Sequence, residues 1–265
     1  MGTLGVHQMC ALEIQPLELV RIAAEVGCQE VSVVSQPLDP ANNIFPLVTA
    51  DNIAALKQEL AATGVGVANI EAFPIAPAAP VEAYRPALEL GASLGARGAT
   101  ALLFDTEESR VVETLARFGE VAGEYGLRVG IEFMALSPRW NTLESMRDLV
   151  VKVGSSNVGI GIDLLHLVRS GGRPADVLAL DPALFAYAQL CDGANLDVTT
   201  DYVEEAVGNR LAPGEGCFPV VDFLRALPAG AAVELEVPQP VTRPALERIG
   251  HAAHCAREQL AAAGR

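Results

Sequence analysis

Eight short apolar runs alternate with eight helical stretches along the whole chain. The runs fall at residues 4–9, 30–34, 65–70, 99–104, 127–133, 158–163, 185–190 and 232–237. The helical stretches fall at 17–26, 50–63, 81–94, 109–125, 142–153, 175–179, 218–227 and 244–263. Gly27, Gly64 and Gly126 stand where three helices should stop, and Thr142 with Ser145 makes a helix cap. Strands separated by helices must cross over and pair in parallel. Eight such units in 265 residues suit an α/β fold, a single (β/α)8 TIM barrel spanning 1–265 as one domain. An open doubly wound sheet is the alternative. Its dinucleotide fingerprint is missing, because Gly159-x-Gly161 lies inside a run, and no P-loop occurs. The proline-rich 73–80 and the long 191–217 are expected to be loops.

The stretch 157–166 reads Asn-Val-Gly-Ile-Gly-Ile-Asp-Leu-Leu-His. Val158, Ile160, Ile162 and Leu164 share one face, and Gly159, Gly161 and Asp163 share the other. Asp163 then ends a strand at the barrel face where active residues gather. Three other runs end comparably. Strand five supplies Glu132, strand seven Gln189, and strand eight Glu236 with Glu234 one step below. At an effective dielectric of about 20, each pair of carboxylates about 4 Å apart costs roughly 4 kcal/mol. A proton or a cation must relieve this. One divalent ion held by Glu132, Asp163, Gln189 and Glu236 fits, and an all-oxygen set favours Mn²⁺ or Mg²⁺ over Zn²⁺.

Each residue also has a plainer reading. A single carboxylate at a strand end more often caps a loop. His166, one turn beyond Asp163, is either catalytic or a satisfied polar residue, and His7 at the end of the first strand is equally open. Tyr187, Phe185 and Trp140 read as packing, and His251 and His254 as surface residues. Arg139, Arg169, Arg173 and Arg210 follow strands and could each hold a carboxylate or phosphate, or simply face solvent. The segment Pro213-Gly-Glu-Gly216 is more simply a turn than a phosphate cradle.

Lys and Arg total 18 against 33 Asp and Glu, a formal charge of −15, which argues against nucleic-acid and anionic-membrane partners. With 51% hydrophobic residues the chain can bury a large core. Its five cysteines are odd in number and form no CxxC, so reduced thiols and a cytoplasmic location are expected. No signal peptide and no membrane-spanning run is read from the sequence.

At these residues the chain resembles the xylose-isomerase-like barrels, the sugar phosphate isomerase/epimerase superfamily, most specifically from Gly130 to Pro238. The segments Gln189-Leu-Cys-Asp-Gly193, Pro213-Gly-Glu-Gly216 and Leu235-Glu-Val-Pro238 also look like that family. The resemblance implies that Glu132, Asp163, Gln189 and Glu236 hold one divalent metal and that His166 contacts substrate. Two departures matter. Sugar epimerases usually carry histidine where Gln189 stands, and ketose epimerases carry an arginine where Asn195 stands. Glutamine at that position is similar to bacterial 3-dehydroshikimate dehydratases, in which reading Arg210 would meet a substrate carboxylate. The family's DNA-repair branch, with many histidine ligands, does not suit four histidines and this charge.

Three functions follow as expectations. The first is isomerisation or epimerisation of a small hydroxy-ketone, with an enediolate stabilised by the metal. Glu132 and Glu236 would move the proton and His166 would bind the oxyanion; His7, Arg139 and Arg210 are the candidate substrate contacts. The second is a dehydratase that eliminates a β-oxygen from a keto acid on the same constellation. The third is a non-catalytic small-molecule binder. Barrels of this kind often pair, so a homodimer is compatible with all three.

Overall fold

In the computed structural model, which describes residues 3–39, 41, 43–197 and 201–265, eight parallel strands pair in chain order and close on themselves. They are β1 (Leu4–His7), β2 (Glu30–Val34), β3 (Gly66–Ile75), β4 (Gly98–Leu103), β5 (Arg128–Glu132), β6 (Val158–Asp163), β7 (Phe185–Leu190) and β8 (Val233–Leu235). The closing pair sets Gly5 against Glu234, which removes the open-sheet alternative. The chain is therefore a (β/α)8 TIM barrel.

Among the described residues ten helices surround it: α1 (Pro16–Glu25), α2 (Ile53–Thr63), α3 (Arg85–Ser93), α4 (Glu108–Glu124), α5 (Leu143–Val153), α6 (Leu164–Arg169), α7 (Pro174–Leu178), α8 (Tyr202–Gly208), α9 (Val220–Ala226) and α10 (Ala245–Ala263). Val158, Ile160 and Ile162 face outward and are buried under this layer. Burying one isoleucine side chain contributes roughly 1.5–3 kcal/mol. Thr142 and Ser145 cap α5 reciprocally, each side chain accepting the other's backbone N–H at 3.1 Å. Gly64 ends α2 with φ +73°, a conformation that other residues adopt only at a cost.

The structure departs from expectation where local chemistry misleads. β3 runs five residues beyond Ile70, through a stretch whose prolines suggest a loop. The register shifts between Ile70 and Phe73, and Pro74 sits just past that irregularity, where a missing N–H is tolerated. Fully buried Phe73 and Ile75 pair with Ala101 and Leu103 and hold the strand in place. β1 stops at His7, whose Nδ1 accepts the Met9 N–H at 3.1 Å and starts a 3₁₀ turn. The third helical stretch divides after Tyr84 into a 3₁₀ turn and α3, which carries Pro86 in its first turn. Within 191–217 the chain forms α8, whose buried Tyr202 and Ala206 recur at helical spacing; residues 198–200 lie outside the described set. All five cysteines are free, and among the described residues no helix is long and apolar enough to cross a membrane.

Candidate active site

The register of the last four strands brings the polar ends together. Glu132 pairs opposite Gly161, Asp163 opposite Gln189, and Gln189 opposite Glu234. Glu236 therefore stands one inward position above Glu234. Glu132, Asp163, Gln189 and Glu236 are all buried. Beneath them the Tyr187 ring fills the barrel axis. A Cβ on Gly161 would lie 2.2 Å from that ring, and one on Gly130 would lie 2.3 Å from it. The alternate glycines of β6 and the glycine of β5 thus make room for a plug, and the acids rest on it.

The positive charge demanded by these acids comes, in this structure, from Arg210. Its NH1 donates to Asp163 Oδ2 at 2.5 Å and its NH2 to Glu236 Oε1 at 2.8 Å. Nε donates to the Ala206 carbonyl of α8 at 2.9 Å, which fixes the guanidinium plane. Asp163 Oδ1 accepts the Leu165 N–H at 2.7 Å, so the same carboxylate caps α6. His166 Nε2 lies 3.2 Å from Glu132 Oε1, and the Tyr202 hydroxyl is hydrogen-bonded to its Nδ1. On the other side of the mouth His7 Nε2 lies 3.3 Å from Glu71 Oε1, and His7 Nδ1 lies 3.8 Å from Glu236 Oε2.

Burial opposes charge on every one of these groups, and the neighbours decide the outcome. For Asp163, desolvation alone would raise the pKa, but Arg210 and His166 outweigh it and hold the carboxyl below its usual range. For Glu236, burial prevails over Arg210 and His7, and the pKa is raised. Both histidines are raised, because the facing carboxylates outweigh the desolvation of the imidazolium; for His7 these are Glu236 and Glu71.

A second polar layer lies below. Asn69 Nδ2 donates to Glu234 Oε1 at 2.7 Å, and the Thr100 hydroxyl donates to Glu71 Oε1 at 2.7 Å. Burial pushes Glu234 up to about 8, with His7 opposing and Glu71 adding to the shift. Its folded-state value lies above the ordinary 4.5, so the folded protein binds the extra proton between those values. Stability from this site is therefore full below about pH 4.5 and falls as pH rises towards 8. Glu234→Gln keeps an acceptor for Asn69 and never ionises. The variant should melt with wild type at acidic pH and above it at pH 8. Parallel melting profiles across that range would refute the assignment of a buried, protonated Glu234.

Some residues singled out in the sequence stand elsewhere. Arg139 is not in the cavity: it donates to the Thr106 carbonyl at 2.9 Å, pairs with Glu108 and stacks 4.8 Å above the Trp140 ring. Two of its five N–H donors are engaged there, and the side chain does not line the cavity where a substrate contact was expected. Arg169 is buried in α6, paired with Glu205 and with two loop carbonyls, and acts as a structural bolt. Pro213 to Gly216 is a turn, held by Asp192 through the N–H groups of Gly214 and Phe218. Trp140 is packed, its indole N–H on the Asp105 carbonyl at 3.1 Å. Glu71 and Tyr202 were not anticipated. Glu71 lies past the expected end of β3; it stands two residues beyond Asn69 on the inward face, and that alternation is the signal that would have found it.

The donors present fit a divalent ion. Glu132 Oε1 and Gln189 Oε1 are buried without a hydrogen-bond partner, and buried oxygens are seldom left so. Ligand atoms of Glu132, Asp163 and His166 lie within 4.8 Å of one another. An ion taken up by Asp163 and Glu236 would compete with Arg210 for the same oxygens.

The profile of the xylose isomerase-like TIM barrels matches residues 20–259. The chain belongs to that family. Among its relatives, a 3-dehydroshikimate dehydratase of Pseudomonas aeruginosa is 30% identical over 118 residues, 44% of this chain and 18% of that protein. An inosose isomerase of Bacillus licheniformis is 25% identical over 163 residues, 56% of this chain and 55% of that one. The chain thus matches only part of the length of these curated relatives. The crystal structure of the IOLI protein with a bound zinc atom superposes with a TM-score of 0.80 at 17% identity, covering 100% of this chain and 98% of that one, a likeness of fold. The curated relatives are thus dehydratases and an isomerase, structures of the same fold include an L-ribulose 3-epimerase at 18% identity, and one such structure holds zinc.

Proposed function

We propose that the barrel is a divalent-metal-dependent isomerase or epimerase of a small hydroxy-ketone. The observation that carries this is the pair of buried oxygens without a hydrogen bond, Glu132 Oε1 and Gln189 Oε1, beside Asp163 and Glu236 at one barrel mouth. Glu132, Asp163, Gln189 and Glu236 would hold the ion. Mn²⁺ or Mg²⁺ is favoured by their oxygen donors. When bound, such an ion supplies a Lewis acid for the carbonyl and neighbouring hydroxyl oxygens of the substrate.

The chain's own residues supply the rest. One of Glu132 and Glu236 removes the proton from the carbon next to the carbonyl, and the other returns it. Return to the opposite face of the same carbon gives an epimer; return to the neighbouring carbon moves the carbonyl. His166, held on Nδ1 by the Tyr202 hydroxyl, directs Nε2 toward Glu132 and is placed to hydrogen-bond the oxygen that gains charge. His7 occupies the matching position beside Glu236.

A second reading is elimination of a β-oxygen from a keto acid. It draws on the arginine beside the acids and on the partial likeness to the Pseudomonas dehydratase. Here Arg210 would turn from Asp163 to a substrate carboxylate. Solvent deuterium separates the two: an isomerase incorporates it into a product of otherwise unchanged mass, while a dehydratase loses water and yields a conjugated chromophore.

The metal is tested first. Purified protein should contain a divalent ion, and EDTA should lower the melt by roughly 5–10 °C, as loss of a ligand at about a hundred times its Kd would do. No metal and no response to added Mn²⁺ would remove both mechanisms and leave a non-catalytic binder.

A further inference from the structure

The cavity above the acids has a volume of about 440 Å³ and two unlike halves. Its floor is polar and buried, with His7, Glu71, Glu132, His166, Arg210 and Glu236. Its walls are almost wholly apolar. Phe45 comes from the loop after β2, Phe104 from the loop after β4, Met134 and Leu136 from the loop after β5, and Val203 and Val207 from one turn of α8. Among the described residues nine large hydrophobic side chains are exposed, and four of them, Phe104, Leu136, Val203 and Val207, line this one mouth. Scattered apolar residues on a surface mean little, but a cluster that rims a concave polar floor marks a ligand site.

A free sugar carries a hydroxyl on nearly every carbon, and each hydroxyl taken from water needs a partner. These walls offer few. Of the three hydroxyl side chains in the lining, Thr106, Ser137 and Tyr202, Ser137 already accepts the Trp140 backbone N–H at 2.9 Å and Tyr202 is hydrogen-bonded to His166. The floor and the walls therefore select different halves of one molecule. We infer that the substrate is amphipathic: an oxygenated ketone head meets the acids, and an apolar body of about the size of a ring or branched alkyl group lies against Phe104, Leu136, Val203 and Val207. This rests on the proposed reading of the floor and adds the chemistry of the rest of the substrate. The polyhydroxylated chain of a free ketose is excluded by it.

The test compares three probes with a shared or related head, hydroxyacetone, 2-hydroxyacetophenone and D-fructose, by ligand-observed NMR titration of the full chain with Mg²⁺. 2-Hydroxyacetophenone should bind about tenfold or more tightly than either of the others, the effect of burying a ring. The double variant Leu136→Ser/Val203→Ser should close that gap. Phe104→Ser, on a separate loop, should narrow it and serves where the double variant does not fold. D-Fructose binding as tightly as 2-hydroxyacetophenone, or a gap that survives both variants, would overturn the inference. The same preference seen undiminished in EDTA would uphold the apolar wall and sink the metal reading of the floor, so the two failures are distinguishable.

Discussion

Glu132→Gln and Glu236→Gln should each reduce turnover by about 10²–10⁴-fold while leaving the barrel folded, the range expected when a proton-transferring group is removed. The substitutions are nearly isosteric, so packing against the Tyr187 plug is preserved. Each removes one negative charge from a buried cluster whose members repel. In Glu132→Gln that relief is offset by losing the charge that faces His166 Nε2 at 3.2 Å, so metal-free stability should change little. Glu236→Gln gives up a charged partner of Arg210 but can still offer its amide oxygen to NH2. Divalent-ion affinity should fall in both. The measurements are turnover on an enolisable hydroxy-ketone, metal content, and a melt of each variant beside wild type. A folded variant that kept wild-type turnover would refute the role given to that residue. A variant that lost activity only by unfolding would refute the claim that these acids serve function rather than packing.

The strand-by-strand plan was legible because apolar alternation and helix stops are local. Gly161 and Asp163 were on the right face of β6 because side chains alternate without exception in a regular strand. The inward set of Glu132, Asp163, Gln189 and Glu236 followed from the same rule. What the sequence concealed lies at irregularities. The register shift in β3 allows Pro74 inside a strand, and with it hides Glu71. α8 has few residues and weak periodicity, so its buried Tyr202, the partner of His166, was invisible until the loop folded over the mouth. The arginines were hardest of all. Arg139, Arg169 and Arg210 all follow strands, yet one stacks on an indole, one bolts a loop and one sits among the acids. A side chain that long is placed by its partners, and those are distant in sequence.

Arg210→Met tests the arginine that ended among the acids, and its effect should depend on metal. In wild type the guanidinium is buried and gives hydrogen bonds to Asp163, to Glu236 and to two main-chain carbonyls. Methionine fills similar space without charge. Asp163 and Glu236 then face each other and Glu132 with only the more distant His7 and His166 to offset their charge. Removing one partner of a buried ion pair costs about 3–5 kcal/mol, because the charge left behind is uncompensated. The metal-free variant should therefore melt roughly 10 °C or more below metal-free wild type. A divalent ion restores the missing charge at the same oxygens, so added Mn²⁺ should recover most of the loss in the variant. It should also bind there more tightly than in wild type, where it must displace the guanidinium. Opposite signs on stability and metal affinity are the signature, since a residue that merely packs would lower both. Equal loss with and without Mn²⁺ would mean that Arg210 and the ion do not share these oxygens, and the ion's proposed seat on Asp163 and Glu236 would have to be given up.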